Sequence, residues 1–189
     1  MSSLPPLSDA RHALRQHVLT HSLKIGNFTL KSGRTSSWFL DTKQTACRSD
    51  GILLVADVAL ELLPADVTAI GGLTMGADPV AFGIAAIAAS RGRTLRSFSV
   101  RKESKDHGVT GRIAGALQPG DRVAIVEDTV TRGTSLFEAV EVVRAFGATP
   151  MFITVIVDRG GTCAEMARQA KISYQPMLTA PDLGYEFGS

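Results

Sequence analysis

At 189 residues, with 44% hydrophobic and 20% charged side chains, the chain has ordinary globular composition, which excludes long disorder and allows one domain with a sizeable core. A formal net charge of +2 gives no sign of a nucleic-acid partner, so any anion must be bound locally. Cys47 and Cys163 stand far apart without a CxxC pair, there is no secretory pattern at the start, and no apolar run reaches about 18 residues, so a reduced, cytoplasmic chain with neither disulfides nor a membrane span is expected.

The first predicted element is a helix over "SDARHALRQHVLTHSLK", with Ser8 as N-cap, Ala10, Ala13, Leu14 and Val18 on one stripe and Gly26 as its stop. His12, His17 and His21 lie in it. The last two share a face, but with no carboxylate or third ligand nearby they read as partly exposed helix residues rather than a metal pair. "FTLKSGRTSSWFLD" then reads as a hairpin whose turn carries Lys31 and Arg34, with Trp38 as a packing residue.

From residue 50 onward, helical and strand patterns alternate. "GILLVADVALELL" is helical and Pro64 follows it; "DVTAIGG" is a strand, "DPVAFGIAAIAAS" a helix and "TLRSFSV" a strand. "RVAIV" is a strand, "SLFEAVEVVRAFG" a helix with Leu136, Ala139, Val140, Val143 and Phe146 on one face and Gly147 as its stop, and "MFITVIV" a strand. Strands apolar on both faces and separated by helices predict an α/β fold with a parallel sheet covered on both sides. Ligands in such sheets bind beyond the carboxyl ends of strands, which directs attention to "GGLTMGADP", "RKESKDHGVTGR", "EDTVTRGTS" and "DRGGT".

In "EDTVTRGTS", hydroxyl-rich loop residues and Gly133 lead into a helix, a combination that cradles phosphate on backbone N–H groups. Neither the Walker pattern nor GxGxxG is present. Glu127 and Asp128 precede the cradle. They are either a solvated strand end or acceptors for the hydroxyls of a ribose 5-phosphate. "RKESKDHGVTGR" holds Arg101, Lys102, Lys105 and Arg112 against Glu103 and Asp106, with His107 beside them. A linker of about 20 residues without periodicity is long for a compact domain and suggests a basic lid over a phosphate.

"VAIVEDTVTRGTS", Val123 to Ser135, resembles the phosphoribosyl pyrophosphate (PRPP) signature of the type I phosphoribosyltransferases, with Arg132 where a small residue is usual. "RKESKDHG" is similar to the R-K-x-x-K-D-H-G loop of the orotate phosphoribosyltransferase family, and "FTLKSGRTSSWF" and "VDRGG" resemble its N-terminal hairpin and its orotate-holding turn. The resemblance spans roughly residues 25 to 160. It implies one phosphoribosyltransferase domain over 1–189, with hood elements at about 1–45, a PRPP-binding core at about 50–160 and a mobile catalytic loop.

The resemblance further implies transfer of phosphoribosyl from PRPP to orotate with Mg²⁺, held mainly through substrate and water rather than by protein ligands, in pyrimidine synthesis. Lys105, His107 and Arg101 would be catalytic. PRPP would be bound by these three with Lys102 and by Glu127, Asp128, Thr129, Val130, Thr131, Arg132, Gly133, Thr134 and Ser135. Orotate would meet Lys31, Phe39, Thr131 and Arg159, whose guanidinium suits a carboxylate. The loop "GGLTMGADP" would bind pyrophosphate through Gly71, Gly72, Gly76 and Thr74, without the lysine some relatives have there. A homodimer sharing its catalytic loops, with no nucleic-acid or membrane partner, is the implied assembly. Transfer to another base, or a non-catalytic PRPP-sensing regulator, would explain neither the lid nor Arg159 as well.

Overall fold

Ser8 opens the first helix: its hydroxyl accepts the Arg11 N–H at 3.3 Å, satisfying one of the donors that a helix start leaves without an internal acceptor. The computed structural model describes residues 8–29, 35–105 and 111–188. Helix α1 (Asp9–His21) buries Leu14 and Val18 as expected, whereas Ala13 is exposed. The helix stops earlier than its sequence suggests. Ser22 caps it, and Gly26 lies inside strand β1 (Leu23–Thr29), where it breaks no element.

β1 pairs antiparallel with β2 (Thr35–Leu40) to give the expected hairpin. Its turn, including Lys31 and Arg34, lies outside the described residues. Burial alternates along β2, so Ser36, Trp38 and Leu40 turn inward while Phe39 turns outward toward Phe28, with ring centroids 5.6 Å apart.

The rest of the chain builds the main sheet. Helices α2 (Lys43–Ala46) and α3 (Ser49–Leu62) lead to β3 (Ala69–Leu73), α4 (Ala77–Ser90), β4 (Arg96–Lys105) and β5 (Gly111–Gly115). β6 (Arg122–Val130), α5 (Thr134–Ala145), β7 (Thr149–Asp158), α6 (Cys163–Ala170), β8 (Ser173–Tyr174), β9 (Leu178–Thr179) and a 3₁₀ turn (Pro181–Leu183) complete the order. The strands lie in the order β5-β4-β3-β6-β7-β8, with β9 also beside β7. All pairings are parallel except that of β4 with β5.

Three further elements differ from their sequence reading. β4 continues five residues past Val100 and pairs Lys105 with Gly111, so much of the expected loop is a β-ribbon. β6 runs on through Glu127, Asp128, Thr129 and Val130 instead of stopping at Val126. Phe146 caps α5 and is 38% exposed rather than sharing the buried face of Leu136, Ala139, Val140 and Val143.

Alternation along the strands feeds two cores. Ile70, Ala124, Val126 and Phe152 face α1, α3 and α4, and Ala69, Val123, Ile125 and Ile153 face α5 and α6. Each fully buried Ile or Phe contributes about 1.5–3 kcal/mol, so covering both faces is what holds the sheet. At the amino ends of the strands the buried Asp121 accepts hydrogen bonds from Thr68 Oγ1 and the Gln118 N–H, both at 2.8 Å, and from Arg96, tying β3, β4 and β6 together. The opposite, carboxyl ends are left to diverge. β3 has β4 on one side and β6 on the other, so the segments leaving β3 and β6 separate and open a crevice between them.

Candidate active site

Glu127 and Asp128 occupy that crevice from within β6. Their residues are 7% and 8% exposed, so the solvated strand end is excluded. Asp128 Oδ2 receives Lys43 Nζ at 2.6 Å and Thr42 Oγ1 at 3.2 Å; Thr42 is also hydrogen-bonded to Thr129. Among the described residues, Glu127 Oε1 accepts a local bond from the Asp128 N–H at 3.2 Å and no other. One lysine thus serves two carboxylates. Burial, reinforced by the Asp128 hydrogen bond and charge, pushes the Glu127 carboxyl up to about 8. For Lys43, burial works against the ammonium, but the hydrogen bond and charge of Asp128 outweigh it and raise the pKa.

The loop after β3 closes over the pair. A Cβ on Gly76 would stand 1.9 Å from Glu127 Oε1 and 2.6 Å from Asp128 Oδ1, so a larger residue there would push the two carboxylates aside. Gly76 has an ordinary helical φ of −66°, and Gly71 and Gly72 lie in β3 pressed against Phe98 and Val126. These glycines provide close approach rather than unusual backbone angles. The Thr74 hydroxyl donates to Asp78 Oδ2 at 2.6 Å, and Ser99 Oγ donates to Asp78 Oδ1 at 2.6 Å. Thr74 is thereby held against Asp78 at the start of α4.

Beyond Val130 the chain needs only Thr131, Arg132 and Gly133 to enter α5. Gly133 adopts φ +85°, a left-handed conformation that side chains disfavour, and a Cβ there would also stand 2.8 Å from Cys163 Sγ. The first-turn N–H groups of α5 have no acceptor within the helix, and the exposed Thr134 and Ser135 add hydroxyls beside them. Thr131 and Arg132 are exposed at the rim. Cys163 beneath the cradle is an inert filler, its thiol pushed up to about 12 by burial and then by Asp158.

Arg159 follows β7 in a turn that Asp158 shapes. Asp158 Oδ1 accepts the Gly160 and Gly161 N–H groups, both at 2.9 Å, and Oδ2 accepts Tyr174 OH at 2.7 Å. The Arg159 N–H donates to the Val130 carbonyl at 2.8 Å, which joins this turn to the end of β6. The guanidinium lies 4.0 Å over the centre of Trp38, and Trp38 stacks on Tyr185 at 4.2 Å and 18°. Burial lowers the Arg159 pKa, but a guanidinium retains its charge. Phe39, on the other face of β2, does not share this stack.

Arg101 and Lys102 stand on β4, where Arg101 donates to the Gly111 carbonyl at 3.3 Å. Arg112 from the same basic segment is tied inward: it donates to the Arg101 carbonyl at 2.8 Å and pairs with Glu138 of α5. The Lys105 side chain and His107 lie outside the described residues, as does Lys31. Sequence reasoning did not find Thr42, Lys43, Asp158 or Tyr185. The alternation in "TSSWFL" was a usable signal that Trp38 faces inward and Phe39 outward. Lys43 had none, because its partner lies 85 positions away.

No family model matches the chain. The orotate phosphoribosyltransferase of Streptomyces avermitilis is 38% identical over 182 residues, which are 95% of this chain and 100% of its own length. The Mycobacterium tuberculosis H37Rv orotate phosphoribosyltransferase in complex with Fe(III) dicitrate superposes with a TM-score of 0.83 at 35% identity, covering 93% of this chain and 99% of that one. The same enzyme in complex with PRPP gives 0.79 at 32% identity, again over 93% and 99% of the two chains. Agreement of that extent, in residues and in backbone together, reaches beyond a shared fold, and the chain belongs to the orotate phosphoribosyltransferase family.

Proposed function

We propose that the crevice between the ends of β3 and β6 binds PRPP, and that the Arg159 turn presents orotate to it. As an orotate phosphoribosyltransferase, the chain transfers the phosphoribosyl group of PRPP to orotate, giving orotidine 5'-monophosphate and pyrophosphate in pyrimidine synthesis. The bond from ribose C1 to the pyrophosphate oxygen breaks with its electron pair going to pyrophosphate. The orotate ring nitrogen bonds to C1 and loses its proton. Little covalent help is needed; positioning and charge stabilisation carry the step.

The observation that carries this reading is a buried carboxylate pair sharing one lysine, a few residues before a helix amino terminus. Sugar hydroxyls supply the donors that Glu127 lacks, while Thr131, Arg132, Gly133, Thr134 and Ser135 hold the 5-phosphate. Thr129 and Val130 shape the cradle from below. Arg101, Lys102, Lys105 and His107 neutralise the leaving pyrophosphate. Arg159, fixed on Trp38, takes the orotate carboxylate, with Lys31, Phe39 and Thr131 as further orotate contacts.

The donor set suits Mg²⁺: Glu127 and Asp128 offer hard oxygens that accept from water bound to the ion. When bound, Mg²⁺ neutralises charge on pyrophosphate and ribose oxygens. The reading includes one domain over 1–189, with a hood at about 1–45 and a PRPP-binding core at about 50–160, acting in the cytoplasm as a homodimer that shares its loops. Leu53 on α3 and Phe82 on α4, 48% and 45% exposed, support association of two copies. The test is to offer orotate, uracil, hypoxanthine and adenine separately with PRPP and Mg²⁺. Nucleotide is expected from orotate alone, and product from another base would overturn the specificity.

A further inference from the structure

His17 and His21 are one helical turn apart on α1, and the fold brings Asp50, at the start of α3, against them. No local pattern around the two histidines points to a carboxylate, because Asp50 lies about 30 positions away in the chain. One ligand atom from each of the three residues lies within 4.8 Å of the others. The His17 side chain is only 8% exposed, and its Nε2 is buried with no hydrogen-bond partner among the described residues, 3.5 Å from Asp50 Oδ2. Ligands 2.0–2.2 Å from a tetrahedral ion stand roughly 3.3–3.6 Å apart, which is the separation found between Nε2 and Oδ2.

From this geometry we infer that His17, His21 and Asp50 form a binding site for a divalent cation of the zinc class, with water as the fourth ligand. The surroundings are built for it. His17 Nδ1 lies 3.1 Å from Thr45 Oγ1, which in turn lies 2.7 Å from Ser22 Oγ. With Nδ1–H donating to Thr45, the Nε2 lone pair is turned toward Asp50, the arrangement by which an outer hydrogen bond orients a ligating imidazole. Gly51 allows the start of α3 to approach closely, since a Cβ there would stand 2.2 Å from the Thr45 carbonyl oxygen and 2.8 Å from His17 Cε1.

Imidazole with one carboxylate favours zinc-like ions over Mg²⁺, which prefers an all-oxygen shell, so this site is separate from the metal serving PRPP. Its place gives it a task. The ion would join α1 to α3 through Thr45 of α2, the same short helix that brings Thr42 and Lys43 to Asp128.

The test is titration of the chelator-stripped full chain with Zn²⁺, in competition with a chromophoric indicator and in the presence of Mg²⁺. One ion per chain is expected, undisturbed by Mg²⁺. His21→Ala and Asp50→Asn alter solvent-accessible side chains, keep the far-ultraviolet dichroism of the fold, and should each weaken zinc by at least about tenfold. Thr45→Val should weaken it by about 10- to 100-fold. The site is overturned if the folded wild-type chain takes up no zinc, if His21→Ala and Asp50→Asn bind it unchanged, or if Cys47→Ser abolishes binding, which would assign the ion to a thiol.

Discussion

Glu127 and Asp128 lie side by side in a buried strand with Lys43 as the cation bonded to one of them, and the difference between the two acids sets a pH dependence. Glu127 has an ordinary value of 4.5 and is raised to about 8 in the folded chain by burial and then by Asp128. Below pH 4.5 both folded and unfolded states hold this proton. Between 4.5 and about 8 the folded state alone retains it, so this carboxyl removes stability as pH rises through that window. The thermal midpoint of the ligand-free protein should therefore fall across the window, and that of Glu127→Gln should fall less. The same substitution should lower kcat/KM by about tenfold, the loss expected from one hydrogen bond to ribose. Parallel melting curves for the two proteins would show that Glu127 is ionised in the free enzyme. The acids themselves were legible as an odd pair in the sequence. That they are buried was not, because the groups that make burial tolerable, Thr42 and Lys43, come from a segment with no pattern of its own.

The β4–β5 ribbon is the element that sequence patterning concealed most. "RKESK" has no apolar residue, so it reads as a loop; it is a strand because Phe98 and Val100 anchor β4 in the core and β5 supplies a partner. Charged residues on an edge ribbon also discourage pairing with another chain, so the composition that obscured the strand suits its position. The helices after β3 and β6 were legible, since Pro79 and Gly133 mark their starts and small or apolar residues fill their buried faces. Arg112 acts at the ribbon's base, binding the Arg101 carbonyl and Glu138 of α5, and so fixes the angle at which the basic residues extend. Arg112→Ala and Glu138→Ala should each lower kcat by about tenfold, equivalent to ~1.4 kcal/mol, with PRPP binding and the thermal midpoint little changed. Because Glu138→Ala removes a contact that Arg112→Ala also removes, the double variant should lose no more than Arg112→Ala alone. Additive losses, or an unchanged kcat, would show that the pair does not position the ribbon.

Over the whole molecule, periodicity reveals a parallel sheet covered on both faces, but not the strand order, and it is the order that makes the site. Placing β3 between β4 and β6 opens the crevice, and no local pattern records that choice. The C-terminal segment was equally silent. Tyr185 supports Trp38, which supports Arg159, while the Gly188 N–H donates to the Arg159 carbonyl at 2.8 Å and Asp182 reaches Arg11 of α1 at 3.8 Å. Hairpin, β7 turn and C-terminal segment thus meet on one guanidinium, on the orotate side of the crevice, whereas the carboxylates and the cradle rest on other contacts. Separate supports predict separable defects. Deleting residues 185–189, or the milder Tyr185→Ala, should raise KM for orotate by about tenfold, or ~1.4 kcal/mol, while leaving PRPP affinity measured by calorimetry unchanged. Equal weakening of both substrates would mean that the C-terminal segment supports the whole crevice, and no change in either would remove Tyr185 from the positioning of Arg159.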